Sequence, residues 1–366
     1  MKTYTFDITH NKTFIEKDIE NNILDKNIFK RLQESKLSID EHMSKWEKYK
    51  RYINDYEYIY TNSDIHRNIC NVSPISRSYF KLHEILQDFD ILNNINNINI
   101  CCIAEGPGGF IQSILNNTKN KDINIKNLYG ITLISDDKEV PTWNPRIKNN
   151  KDITLLYGQD NTGDICNKDN IIDIVKNIGE NTCDIITCDG GIDYSEDYNN
   201  QELSSYEFIY KEILLSLLLQ KEGGTLIIKM FDLLYYSSIQ LLYLLYQCYS
   251  NIYISKPHTS RITNSEKYIV CKGYKKNKNI INFLKTNFDN RNKFINIPKS
   301  FMDDIKFFNH VYIDNQIYNI NKIIYYIKSN KILLNKPSNH QIEKAIEWCR
   351  TYNLELNLKC SYLKAF

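Results

Sequence analysis

The sequence predicts an α/β fold: a mostly parallel sheet covered by helices on both faces, with an antiparallel strand at one edge. Three observations predict it. From about residue 72, short apolar runs bounded by turn residues alternate with helix-length segments, as strands joined by crossover helices do. The first run leads straight into a glycine-rich turn, Glu105-Gly106-Pro107-Gly108-Gly109-Phe110, which opens a helix. The last two runs have no helix between them, and a short connection makes neighbouring strands antiparallel.

Taken in order, residues 1–65 are charged and show helical spacing at Leu24, Ile28 and Leu32, with no nameable chemistry. Ser73–Gln87 reads as a helix with Ser73 as N-cap, Pro74 at the first position, and Tyr79, Leu82, Ile85 and Leu86 on its apolar side. Strands are expected at 98–105, 127–134, 153–158, 183–189, 225–231, 251–255 and 267–274, with helices at 201–220 and 237–248. Helical spacing returns beyond residue 280. This divides the chain into an N-terminal extension (1–70), a central α/β domain (71–276) and a mainly helical C-terminal extension (277–366).

Composition narrows the function classes. The 366 residues carry 46 Lys and Arg against 44 Asp and Glu, a formal charge of +2. That excludes a polycation or an acidic tail and leaves room for a local basic groove. Ten scattered cysteines without a C-x-x-C pair, behind an N-terminus unlike a signal peptide, read as reduced thiols of an intracellular protein. No apolar run approaches the ~20 residues needed to span a bilayer, so no membrane partner is expected. The abundance of Asn, Ile, Lys and Tyr reads as codon bias of an AT-rich genome.

Two features carry chemistry. The glycines of the first turn let backbone approach a ligand at the carboxyl end of a strand, where open α/β sheets bind. The turn is not G-x-G-x-x-G, and Pro107 removes an amide, which argues against a dinucleotide pyrophosphate and a nicotinamide dehydrogenase. The second feature is charge at strand ends. Asp189 closes CDIITCD before Gly190 and Gly191, Lys229 interrupts the apolar run TLIIKMF, Glu266 precedes the last strand, and Lys81 lies in the early helix. A lysine in a buried strand is costly unless paired or poised for work. An inert salt bridge between Lys229 and Asp189 is the bland alternative.

The segments SRSYFKLHEI, IAEGPGGF, ITCDGG, GGTLIIKMFDL and KPHTSRITNSEKYIVCKGY occur in this order. Together they resemble the FtsJ/RrmJ-type ribose 2′-O-methyltransferases, most closely the cap-specific mRNA enzymes, including those of large DNA viruses. The resemblance runs from about Ser73 to Tyr274. It implies a Rossmann-like methyltransferase sheet and a catalytic tetrad of Lys81, Asp189, Lys229 and Glu266. It also implies an S-adenosyl-L-methionine site at Glu105, Gly106, Pro107, Gly108, Gly109 and Phe110, with Asp164 and Ile165 as adenosine contacts. Where the family has Ala-Pro-Gly-Gly, this chain has Gly106-Pro107-Gly108-Gly109. Neither Asp136 nor Asp137 can be assigned to the cofactor ribose.

Methyl transfer to a ribose hydroxyl needs positioning and a base. A lysine serves as base if burial and a second ammonium lower its pKa, which Lys229 with Lys81 nearby is expected to meet. Lys81, Asp189 and Glu266 are the expected orienting partners, and the chemistry calls for no metal. His83 and His258 are expected in surface or supporting roles. Lys256, His258, Arg261, Lys267, Arg146 and Lys148 are candidates for RNA phosphate contacts. The expected substrate is capped mRNA, with other capping enzymes as possible company. Methylation of ribosomal or other RNA and an inactive RNA-binding subunit are the competing readings. AT-rich style with cap-enzyme motifs points to a virus replicating in the cytoplasm.

Overall fold

The computed structural model describes residues 2–5, 12, 14, 16–17, 22–191, 200–290, 293–333 and 336–365. In chain order the elements are β1 (Lys2–Thr5), β2 (Glu16–Lys17), α1 (Lys26–Asp40), α2 (Met43–Ile53), α3 (Ser78–Asp88), β3 (Asn97–Ile103), α4 (Gly109–Asn120), β4 (Asn124–Ile131), α5 (Pro145–Lys148), β5 (Thr154–Leu156) and α6 (Lys168–Ile178). They continue with β6 (Cys183–Cys188), α7 (Gln201–Leu219), β7 (Gln220–Met230), α8 (Tyr236–Cys248), β8 (Tyr249–Lys256), β9 (Lys267–Tyr274), α9 (Lys278–Thr286), β10 (Phe294–Ile295), α10 (Lys299–Lys328) and α11 (Asn339–Thr351).

Among the described residues eight strands form the main sheet, in the order β1-β8-β9-β7-β6-β3-β4-β5. The run from β7 to β5 is parallel, and β9 pairs antiparallel with both β7 and β8, as the missing crossover predicted. The outermost strand is a surprise: β1 pairs antiparallel with β8, so the N-terminal segment extends the sheet. A four-residue strand has too little pattern to announce itself.

Period-two alternation sends neighbouring strand residues to opposite faces. On one face Ile227, Tyr268 and Val270 pack with Leu82, Ile85 and Leu86 of α3 and Phe110 and Ile111 of α4. On the other, Ile228 and Met230 pack under α7 and α8, and Phe301, Ile305 and Phe308 of α10 join that same core. The terminal segments also meet each other: Trp46 and Tyr49 of α2 pack on Ile320 and Ile323 of α10.

Helix α3 begins at Ser78, later than the Ser73 cap predicted, and Arg77 stands at its N-cap. Segment 73–76 is held against α4 instead: Gln112 donates to the Ser73 carbonyl at 3.1 Å and accepts from the Ile75 amide at 2.7 Å. All ten cysteines are free thiols, nine buried and Cys166 partly exposed. Among the described residues, no helix is long and apolar enough to cross a membrane.

Candidate active site

Strand register assembles the site. Cys188 pairs with Ile228, so Asp189 and Lys229 leave neighbouring strands side by side. Lys229 pairs across with Tyr268, which puts Glu266 just beyond the same end of the sheet. Helix α3 lies over that face and brings Lys81. The four expected residues therefore meet, with side chains between 10% and 16% exposed, sheltered yet reachable.

They form two linked ion pairs. Lys81 Nζ lies 2.8 Å from Glu266. Lys229 Nζ lies 3.3 Å from Asp189 Oδ1 and donates to the Asp189 carbonyl at 2.8 Å. Two further residues, not foreseen, steady the carboxylates: Tyr268 Oη donates to Asp189 Oδ1 at 2.8 Å, and Ser260 Oγ donates to Glu266 Oε1 at 2.8 Å. Tyr268 was legible in principle, since it faces Lys229 across the ladder.

The electrostatics correct one expectation. Burial does lower the Lys229 pKa, but the carboxyl groups of Asp189, Glu266 and Glu212 outweigh it, and the net shift is upward. Lys229 is an ammonium in the resting site. Burial pushes Glu266 up, yet Lys81, Lys229 and Lys256 together bring it down to about 2.

The glycine turn follows β3. Gly108 has φ +112°, and a Cβ there would lie 2.5 Å from Ile147 Cγ1. A Cβ on Gly109 would meet the Ser76 and Ser78 hydroxyls at 2.2 Å, and one on Gly106 the Pro141 carbonyl at 2.3 Å. These glycines are required by the protein's own close packing. The loops after β3, β4 and β5 are stitched together: the Gly106 amide donates to Thr132 Oγ1 at 3.1 Å, Ile134 to the Thr162 carbonyl at 2.6 Å, and Asn144 to the Pro107 carbonyl at 3.0 Å. Glu105 is buried, and its Oε2 has no hydrogen-bond partner among the described residues. Beside this loop cluster Leu133 and Ile134 are 40% and 43% exposed, bare apolar surface of the kind a flat base covers. The cluster thus fits a polar ligand with an apolar ring. Asp164 sits in the turn after β5, its carboxylate accepting from the Cys166 amide at 2.8 Å. Phe110 and Ile165 turn their side chains into the core, leaving only backbone for a ligand.

Several expected surface residues are committed inward. Lys267 alternates with Tyr268 to the opposite face, where it is buried, donates to the Phe231 carbonyl at 3.0 Å and approaches Asp232 at 3.7 Å. Arg261 forks onto Glu57 at 3.0 and 3.2 Å, tying the N-terminal segment to the 256–266 turn. His83 is not on the surface: it is buried in α3, with Nε2 2.9 Å from the Tyr352 carbonyl and Nδ1 2.9 Å from the Asn117 side-chain amide. His258 packs at a tilt against Tyr56, ring centroids 4.6 Å apart. Arg146 reaches the Ser73 carbonyl at 3.3 Å, and Lys148 is exposed. Next to Glu266 a cavity of about 140 Å³ opens between residues 53–56, the 256–266 turn and α10, walled by Tyr56, Lys256, His258, Asn264, Tyr312 and Asn315.

A sheltered set of two lysines and two carboxylates beside a glycine turn defines a group-transfer site at the carboxyl end of an α/β sheet. The chain belongs to the FtsJ-like methyltransferase family, whose pattern it matches over residues 74–274. Among its relatives is the cap-specific mRNA (nucleoside-2′-O-)-methyltransferase of Autographa californica nuclear polyhedrosis virus, 30% identical over 195 residues, 53% of this chain and 71% of the relative. The cap-specific mRNA (nucleoside-2′-O-)-methyltransferase 2 of Danio rerio is 31% identical over 234 residues, 57% of this chain and 29% of the relative. The inactive cap-specific mRNA (nucleoside-2′-O-)-methyltransferase 1B of Caenorhabditis briggsae is 32% identical over 176 residues, 47% of this chain and 20% of the relative. The chain thus spans under a third of the fish and nematode proteins.

Proposed function

We propose that this chain methylates the ribose 2′-hydroxyl of a cap-proximal nucleotide in mRNA, with S-adenosyl-L-methionine bound at the loop cluster of Glu105–Phe110, Leu133–Ile134 and Asp164. The observation that carries the reading is the pairing of Lys81 with Glu266 and Lys229 with Asp189 at one strand end. When bound, the cofactor supplies a methyl group on a sulfonium. Lys229 would take the proton that the ribose 2′-hydroxyl gives up on methylation. Because Lys229 rests as an ammonium, it must first shed a proton, which a neighbouring cationic cofactor favours. Lys81, Asp189 and Glu266 hold the two amines in register, so the group titrates as a unit.

The cavity beside Glu266 supports a cap substrate. Aromatic and amide groups on its wall suit the faces and edges of a purine, while the tetrad lies close enough for a nearby ribose. The intact tetrad argues against an inactive subunit. Cytoplasmic action alongside other capping enzymes goes with this reading. Transfer of labelled methyl to a short capped RNA, followed by nuclease mapping, tests it. Label on a cap-proximal 2′-oxygen is the expected result, and label confined to bases or internal riboses contradicts it.

A further inference from the structure

Lys256, the last residue of β8, stands between the tetrad and the cavity. A lysine ammonium has three N–H groups. Here they meet three oxygens: the Asn264 carbonyl at 2.9 Å, the Asn264 side-chain oxygen, and the Glu266 carbonyl at 2.5 Å. These bonds tie the start of the 256–266 turn to its end. The outer part of the turn is fastened separately, by Glu84 of α3, which accepts from the His258 and Thr259 amides at 2.6 and 2.8 Å. Within the closed turn, Glu266 is gripped twice. Lys256 holds its backbone, while Ser260 and Lys81 hold its carboxylate.

We propose that Lys256 is a positioning residue: it keeps the turn closed, aims Glu266 at Lys81, and links the cavity it walls to the tetrad. The proposal rests on the methyltransferase reading above. The charged groups facing Lys256 are Glu266, Lys267, Lys81 and Asp232. Burial, with the two lysines adding to it, outweighs the two carboxylates and brings the amine down to about 7. A neutral amine donates two hydrogen bonds and turns a lone pair toward the third oxygen. The turn therefore loosens above neutrality, and an RNA phosphate in the cavity favours the closed, charged form.

Two readouts on the full chain test this. Hydrogen exchange of residues 258–266, corrected for intrinsic rates, should quicken ~10-fold or more in Lys256→Met at about pH 6, as expected for a turn opened locally. Wild type should drift toward that behaviour at about pH 9, whereas Lys256→Arg, charged throughout, should not. In methyl transfer, Lys256→Met should lower kcat about tenfold while the cofactor KM moves less than twofold. Unchanged exchange in Lys256→Met at pH 6 overturns the proposal, and so does changed exchange with unchanged kcat. A wild-type protein that methylates no RNA overturns the functional reading instead, and the exchange result still decides whether Lys256 closes the turn.

Discussion

At the scale of single residues, the proposed mechanism places the base at Lys229. Lys229→Ala should lower kcat/KM by ~10²–10⁴-fold, the worth of one positioned base, with cofactor binding nearly intact. Lys229→Arg should fail too, since guanidinium keeps its proton. Single-turnover transfer with calorimetry checks both, and a variant keeping more than half of wild-type turnover would remove Lys229 from its role. Glu84 offers a test by pH. Burial lifts its carboxyl from an ordinary 4.5 to about 7, against the bonds from Thr259 and His258 that pull it down. A carboxyl raised on folding stabilises the fold below its unfolded value and loses that contribution as pH climbs through its folded one. Relative to non-titrating Glu84→Gln, wild type should lose roughly 2–3 kcal/mol of unfolding free energy between about pH 5 and pH 8. Denaturant titrations at both pH values give the number; a constant difference would mean Glu84 does not change charge there. Asp189, Lys229 and Glu266 drew notice in the sequence because charges beside apolar strands are expensive without a purpose, while their grouping with Lys81, which lies within a helix, came from the family resemblance. The inward turn of Lys267 and Arg261 was not, because their partners Asp232 and Glu57 lie on separate segments that no local pattern connects.

At the scale of elements, the glycine turn stands where it was read, between β3 and α4. A tight turn and close approach of the backbone to a ligand were the expected reasons for its glycines. The structure adds a left-handed backbone at Gly108 pressed against Ile147, itself buried beside the turn. Gly108→Val therefore combines strain at a positive φ with a clash, each worth ~1–3 kcal/mol. It should reduce thermal stability and weaken S-adenosylmethionine binding at least tenfold, with less change for RNA. Equal cofactor affinity in a folded variant would make the turn purely structural. The strand–helix alternation and the β8–β9 hairpin were legible because both faces of the sheet are covered, which imposes apolar strands and amphipathic helices. The cap of α3 was misplaced because Gln112, a residue of α4, claims the backbone of 73–75 that a helix would have used.

At the scale of the whole molecule, the terminal extensions are structural partners of the sheet. Phe301, Ile305 and Phe308 are fully buried in the core that holds α7 and α8. Burial of one such side chain is worth ~1.5–3 kcal/mol. Three of them approach the ~5–15 kcal/mol that keeps a typical domain folded. A chain cut to residues 71–276 should therefore lack a cooperative thermal transition, while the full chain shows one by calorimetry. A soluble, cooperatively melting fragment would show that the central region stands alone. Neither extension announced this role, since contacts between residues 26–53 and 299–328 form only once the sheet has brought them together.

The most direct test of the central claim compares one RNA in two forms, capped and with a 5′-triphosphate. Stacking of a guanine is worth ~1–3 kcal/mol, and that remote binding energy can align the 2′-hydroxyl, so the difference should appear in turnover as well as affinity. Added salt should weaken both RNAs through lost phosphate contacts. The capped RNA should be methylated far faster at every moderate salt concentration, at a cap-proximal ribose. Equal rates on the two RNAs, with methyl groups at internal riboses, would contradict the account.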